Sequence, residues 1–204
     1  MHATSPVRPI DATMVLPLET AERLLERSIT NQTCQFVEQH RYAEAFTLFR
    51  RWHAYVTDPE HKAFCSLTLG RLAEKKKDYR TALDIYLDGL RMEPRNEETW
   101  YHLHNNAGRT LNVLHQYEAA ESYCRKAIAI NPDRYHAYKN LGICLAHLQQ
   151  HHEARSALKR GFQQLADNPA QAGTAVQREQ SSISAFIQSE DEAIELLPPM
   201  RSTR

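Results

Sequence analysis

Four copies of one short pattern, aromatic-x-x-Ala-x-x-x-large, constrain this chain more than any single residue. They are Tyr42/Ala45/Phe49, Tyr79/Ala82/Tyr86, Tyr117/Ala120/Cys124 and, with histidine in place of tyrosine, His151/Ala154/Leu158. Successive alanines stand 37, 38 and 34 residues apart, a period in the range of stacked helical hairpins. The spacing predicts an all-α solenoid, an architecture that presents an extended surface.

Each copy implies two antiparallel helices. Twelve residues before each alanine stands Thr33, Gly70, Gly108 or Gly142, and three residues further on come Phe36, Ala73, Leu111 or Leu145. Glycine lowers helix propensity by about 1 kcal/mol, so its recurrence at helical spacing points to close approach of the paired helix. Twelve residues after the alanine come Thr57, Pro94, Pro132 and Ala166, and the prolines suit the end of a second helix because proline cannot continue one. Polar breaks at His40-Arg41, Lys77-Asp78, His115-Gln116 and Gln149-Gln150 mark the bends, and Asn131-Pro132-Asp133 is a turn signal. Leu83/Leu87/Leu90 and Ala120/Cys124/Ala127 give the second helices an apolar face. Sustained period-two alternation is missing, so no β-sheet is expected.

Apolar residues make up 42% of the 204-residue chain and charged residues 25%, near globular averages, and no apolar run approaches the ~20 residues of a membrane span. Residues 1–16, with Pro6 and Pro9, read as a flexible leader without the apolar stretch of a secretory signal. Cys34, Cys65, Cys124 and Cys144 stand 31, 59 and 20 residues apart, which suggests free thiols in a reducing compartment and a cytoplasmic protein. A formal net charge of zero lacks the basic footprint of a nucleic-acid binder. Neither nucleic acid nor membrane is an expected partner.

Gly108-x-x-Leu111, Ala120, Ala127 and Pro132, followed by Tyr138-x-x-Leu141-Gly142-x-x-Leu145 and Ala154, resemble the signature of tetratricopeptide repeats. The resemblance covers roughly residues 26–166 and implies about four hairpins. The units are 17–62, degenerate because Gln32-Thr33 replaces the usual Leu-Gly, then 63–96, 97–134 and 135–168. In the unit 97–134, Gly108 arrives four residues late, as though His104–Ala107 were inserted, and one turn added at 3.6 residues per turn keeps the apolar face nearly in phase. Asn96 is the expected cap of that extended helix, with Glu97 and Glu98 at its positive end. A smaller extension is expected near Thr57-Asp58-Pro59. Val176, Ile183, Phe186 and Ile187 suggest a capping helix over 169–188, and residues 189–204 read as an acidic, disordered tail.

In the family, the first helices of successive units line a concave groove that holds a peptide or a partner helix. Two positions before the glycine column come Asn31, Thr68, Asn106 and Asn140, and one position after it Cys34, Arg71, Arg109 and Ile143. Asparagine carries donor and acceptor together, so such a row can satisfy a peptide backbone. The same residues read equally as ordinary exposed asparagines. Arg27, Arg71, Lys75, Arg109 and Lys139 outnumber Glu38 and Glu74 on that face, which favours an acidic ligand, or else forms a plain solvated charge set. The expected groove residues are therefore Asn31, Thr68, Arg71, Lys75, Asn105, Asn106, Arg109, Lys139 and Asn140. The carboxylate clamp known in one subclass does not transfer, because Leu67, Arg71 and Asn140 replace its lysine, asparagine and arginine; a chaperone C-terminus is not the expected ligand.

His147/His151 and His102/His104 lack converging third ligands, so no metal is expected. No cofactor is expected either. The chain has no Gly-x-Ser-x-Gly turn, no phosphate-cradling loop and six glycines in all, which argues against an enzyme. The resulting expectation is a noncatalytic protein-interaction module, an adaptor or scaffold. Alternatives are a structural subunit of a homo-oligomer or larger complex and a secretion-type chaperone. A further idea is that the acidic stretch Glu190–Leu197 folds into the basic groove.

Overall fold

Every described turn between paired helices reverses on a residue in the left-handed region. The computed structural model describes residues 18–170 and 176–195, with side chains for 23–170 and 176–192. Nine helices and no strand occur among them: α1 (Leu18–Glu38), α2 (Tyr42–Tyr55), α3 (Pro59–Lys75), α4 (Tyr79–Arg91), α5 (Glu97–Val113), α6 (Tyr117–Ile130), α7 (Tyr135–His147), α8 (His151–Asp167) and α9 (Val176–Glu195). The expected leader, residues 1–16, lies outside the described residues. Two units make up the chain, residues 1–52 and 53–204.

In the first unit, α1 ends at His40, whose φ is 57°, and the Arg41 N–H donates back to the Phe36 carbonyl at 2.8 Å. Ala45, Phe46, Phe49 and Trp52 form the buried face of α2. Thr33, standing where the other units carry glycine, is buried as well.

The second unit stacks three hairpins, α3/α4, α5/α6 and α7/α8, and ends with α9 against α8 and α7. This is an all-α solenoid, and its hairpins turn at Lys77, His115 and Gln149, with φ of 62°, 60° and 63°. After each, one N–H bonds back five residues: Asp78 to Ala73, Gln116 to Leu111 and Gln150 to Leu145, at 2.9–3.0 Å. That closure satisfies carbonyls which the helix end would otherwise leave open.

Within each hairpin the glycine meets the large residue of the repeating pattern. A methyl group at Gly70 would stand 2.3 Å from the Tyr86 ring; at Gly108, 2.7 Å from the Cys124 sulfur; at Gly142, 2.5 Å from Leu158 Cγ. Tyr86, Cys124 and Leu158 are fully buried, as are Ala82, Ala120 and Ala154. Small residues on both helices thus bring the backbones together, and the large ones fill what remains.

The extra turn of α5 lies at its start. Both α3 and α5 have 17 residues and begin eleven before their glycine, whereas α7 has 13 and begins seven before it. The expected insertion at His104–Ala107 is thereby relocated to Glu97–Trp100, and the extension of α3 is no smaller. Asp58 and Asn96 cap these longer helices, accepting from the His61 N–H at 2.7 Å and the Thr99 N–H at 2.9 Å. The added turns carry Glu60 and Glu98. Glu60 accepts the Arg95 and Asn96 N–H groups at 2.7 and 3.2 Å, and Glu98 accepts from Arg134. Each extension ties its helix to the loop before the next first helix.

Ile183 anchors α9 among Tyr135, Leu158 and Leu165. Phe186, expected among the apolar contacts, is 38% exposed. The helix also continues to Glu195 rather than stopping at 188, so the acidic tail does not begin at 189. Glu190 is buried with its Oε2 2.8 Å from His151 Nδ1, and Asp191 accepts from Arg155; partners on α8 neutralise charges that would otherwise favour a disordered segment. Residues 196–204 lie outside the described residues.

Because the Tyr86 ring has nowhere to move, Gly70→Ala should lower stability by about 1–3 kcal/mol. Gly161→Ala, whose new methyl meets Tyr138 Cβ at 3.1 Å, should stay within about 1 kcal/mol of wild type, the gain in helix propensity offsetting the tighter contact. Urea unfolding of the two variants checks the order, and equal losses would contradict it.

Candidate peptide groove

The helix period decides which side chains face the concave side. On α3, residues 64, 67, 68 and 71 follow i, i+3, i+4, i+7 spacing and share one face. Together with the corresponding faces of α5 and α7 and with Glu179 of α9, that face lines a cleft of about 760 Å³. Six positions before the three glycines stand Phe64, His102 and His136, a row of rings along it; Thr68, Asn106 and Asn140 form the row two positions before.

Seven of the nine expected groove residues line this cleft: Thr68, Arg71, Asn105, Asn106, Arg109, Lys139 and Asn140. Lys75, exposed in the last turn of α3, does not. Asn31 is exposed on α1, in the first unit.

The asparagines are not a row of exposed amides. Asn105, Asn106 and Asn140 are all buried and bonded to one another. Asn140 Nδ2 donates to Asn105 Oδ1 at 3.0 Å, and Asn105 Nδ2 donates to Asn106 Oδ1 at 3.2 Å. Asn112 Nδ2 holds the Asn140 carbonyl at 2.8 Å. The relay fixes the floor across α5 and α7. Among the described residues it leaves the Asn106 amide N–H groups and the Asn140 Oδ1 without a partner, one donor end and one acceptor end.

The expected positive excess is largely cancelled inside the protein. Arg109 is tied to Glu74, whose other oxygen accepts the Thr110 hydroxyl at 2.7 Å. Lys139 Nζ lies 2.6 Å from Glu179, and Arg134 pairs with Glu98. Arg71 is exposed and has no ion-pair or hydrogen-bond partner among the described residues. Glu190 and Asp191 bond to His151 and Arg155, neither of which lines the cleft, so those two acids do not enter it; the acid of α9 that does is Glu179.

Burial lowers the pKa of three imidazoles in and beside the cleft. Burial pulls His136 down to about 4, and its Nδ1 is buried without a hydrogen-bond partner. Burial also lowers His102, while its bond to Glu98 works the other way. His104 points away from the groove, between Trp100 and Tyr123, and burial takes it to about 4 as well. The histidines at i, i+4 considered for a metal are engaged separately: His147 stacks on Tyr117 at 4.3 Å, and His151 faces Glu190.

Phe64, His102, His136, Glu98 and Glu179 were missing from the expected groove. A sequence signal existed for the first three, which share one offset from the glycines. Nothing local marks Glu179, because α9 docking alone brings it to Lys139.

Repeated helix pairs around glycine contacts, with a polar cleft on the first-helix face, define a helical-hairpin repeat protein. Residues 114–178 match the family described as tetratricopeptide repeat. Among solved structures, the Podosopora anserina putative kinesin light chain with nearly identical TPR-like repeats superposes with TM-score 0.63 at 17% identity, over 86% of this chain and 92% of that one. The TPR2B domain of yeast Sti1 in its pHsp70 complex gives TM-score 0.56 at 18% identity, over 65% and 98%. The first TPR of Spaghetti (RPAP3) bound to HSP90 peptide SRMEEVD gives 0.50 at 26%, over 63% and 95%. No curated protein matches the chain significantly. Residues 114–178 thus carry the family match, and the fold of the described residues is that of a tetratricopeptide-like all-α solenoid. No helix among the described residues is long and apolar enough to cross a membrane.

A histidine whose folded pKa is depressed is neutral when the unfolded chain already binds a proton, so stability falls as pH drops from about 6.5 towards 4. His104→Phe, which keeps the ring packing, should flatten urea-unfolding stability against pH in that window by up to about 1.4 kcal/mol per pH unit. An unchanged slope would contradict the neutral, buried state.

Proposed function

We propose that the cleft of α3, α5 and α7 binds an extended peptide segment of a partner protein, and that the chain is a noncatalytic interaction module of the adaptor or scaffold kind. The asparagine relay carries this reading. Its two free ends offer a donor and an acceptor on a rigid floor, matching the alternating acceptor and donor of a peptide backbone. Because Asn105 locks both neighbours, little side-chain entropy is lost when a ligand docks.

Two structural neighbours are complexes, one with pHsp70 and one with an HSP90 peptide, which supports a peptide as the class of ligand. The particular ligands do not carry over, since Leu67, Arg71 and Asn140 replace the side chains of the carboxylate clamp. The hairpins of 63–168 would form the binding body, with α9 closing its last apolar face.

Asn106→Asp tests the relay directly. It keeps the oxygen that Asn105 bonds and replaces the outward N–H donor with a carboxylate oxygen. Peptides selected on the wild-type chain should bind the variant at least about tenfold more weakly, a loss of about 1.4 kcal/mol or more, with the helical circular dichroism and melting temperature little changed. Equal affinity for both chains would remove the groove from the function.

A further inference from the structure

We propose that Phe64 and Arg71 on α3 form the side-chain-reading part of this groove, selecting a peptide that carries a single carboxylate three residues from an aromatic or large aliphatic side chain. The inference rests on the peptide reading above: the asparagine relay holds the backbone, and α3 reads what the backbone carries.

Phe64 is 54% exposed and lines the cleft beside Leu67, so its ring is open to a ligand lying there. The rings at the same offset in α5 and α7 are the imidazoles of His102 and His136, which makes Phe64 the apolar end of the row. Arg71 is the cation whose charge the protein leaves open. Arg109, Lys139 and Arg134 are matched by Glu74, Glu179 and Glu98, so a ligand carboxylate would have to break an internal pair to reach any of them. Arg71 offers its fork without that cost and can take a carboxylate through two parallel bonds.

Their spacing sets the ligand pattern. Residues 64 and 71 are seven apart, which puts them on one helix face about 10.5 Å apart along the axis at 1.5 Å per residue. Three residues of a peptide extended in the polyproline II conformation span about 9.3 Å and bring side chains i and i+3 to the same face. Leu67 and Thr68 line the interval. Glu98 and Glu179 also line the cleft, each already paired with a cation, so further acids on the ligand find no second open cation. A single charge is selected, where the charge count on the expected groove face had favoured an acidic ligand.

A phage-displayed library of random decapeptides selected on the full-length chain tests this. The selected peptides are then measured by fluorescence anisotropy against wild type, Phe64→Ser, Arg71→Ala and Asn106→Asp. The expected result is enrichment of an apolar residue three positions from one Asp or Glu, with about tenfold or greater loss of affinity in each variant. A peptide whose acid is changed to Lys should regain binding on Arg71→Glu. Peptides that lose affinity on Asn106→Asp but not on Phe64→Ser or Arg71→Ala, or that carry several acids and no apolar partner, would overturn the α3 assignment and leave the groove standing. If no peptide is selected, or if all bind Asn106→Asp as they bind wild type, the groove reading falls and this one with it.

Discussion

The contact on which the second unit depends is the approach of a glycine in each first helix to a large side chain in the second. Gly70 against Tyr86, Gly108 against Cys124 and Gly142 against Leu158 fix how closely each pair lies. Once three hairpins share that geometry, α3, α5 and α7 lie side by side and residues at one offset from the glycine form rows. The rings Phe64, His102 and His136 and the polar residues Thr68, Asn106 and Asn140 are consequences of that register. Substituting a glycine would therefore disturb a cleft that it does not line.

Charge pairing decides which side chains of the cleft keep an open charge. Glu74 with Arg109, Glu98 with Arg134 and Glu179 with Lys139 are pairs separated by 35 to 40 residues in the chain. Each leaves backbone and packing intact while removing a cation from the ligand's reach. The asparagine relay works in the same manner, spending most of its hydrogen-bonding capacity on the protein and presenting only its two ends. A groove of many polar residues is thus reduced to a few groups with unmet bonding capacity, and under the proposed function those few would set selectivity.

Much of this fold was legible in the sequence. The glycine and alanine columns, the turns at Lys77-Asp78, His115-Gln116 and Gln149-Gln150 and the Asn96 cap all follow from local chemistry and period. Seven of the nine expected groove residues line the cleft, because offset from a glycine is enough to choose a helix face. Their roles were not legible. Whether Arg109 meets solvent or Glu74 depends on how neighbouring helices stack, and no local pattern records that. The extent of α9 escaped for the same reason: Glu190 and Asp191 read as a disordered acidic stretch until His151 and Arg155 are placed beside them. The added turn of α5 was detected as four surplus residues but placed next to Gly108 rather than at the start of the helix, since period alone cannot say which turn before Gly108 is the added one.

The central claim is that the outward N–H groups of Asn106 and the guanidinium of Arg71 are the groove's recognition groups. Titrating the isotope-labelled full chain with a selected peptide, and following the side-chain amide resonance of Asn106 and the Nε resonance of Arg71 by NMR, tests it most directly. Both should shift and saturate together, while the Arg109 and Arg155 side-chain signals, held by Glu74 and Asp191, stay in place. Saturable binding that moves signals of α8 and α9 but leaves Asn106 and Arg71 unshifted would contradict the account.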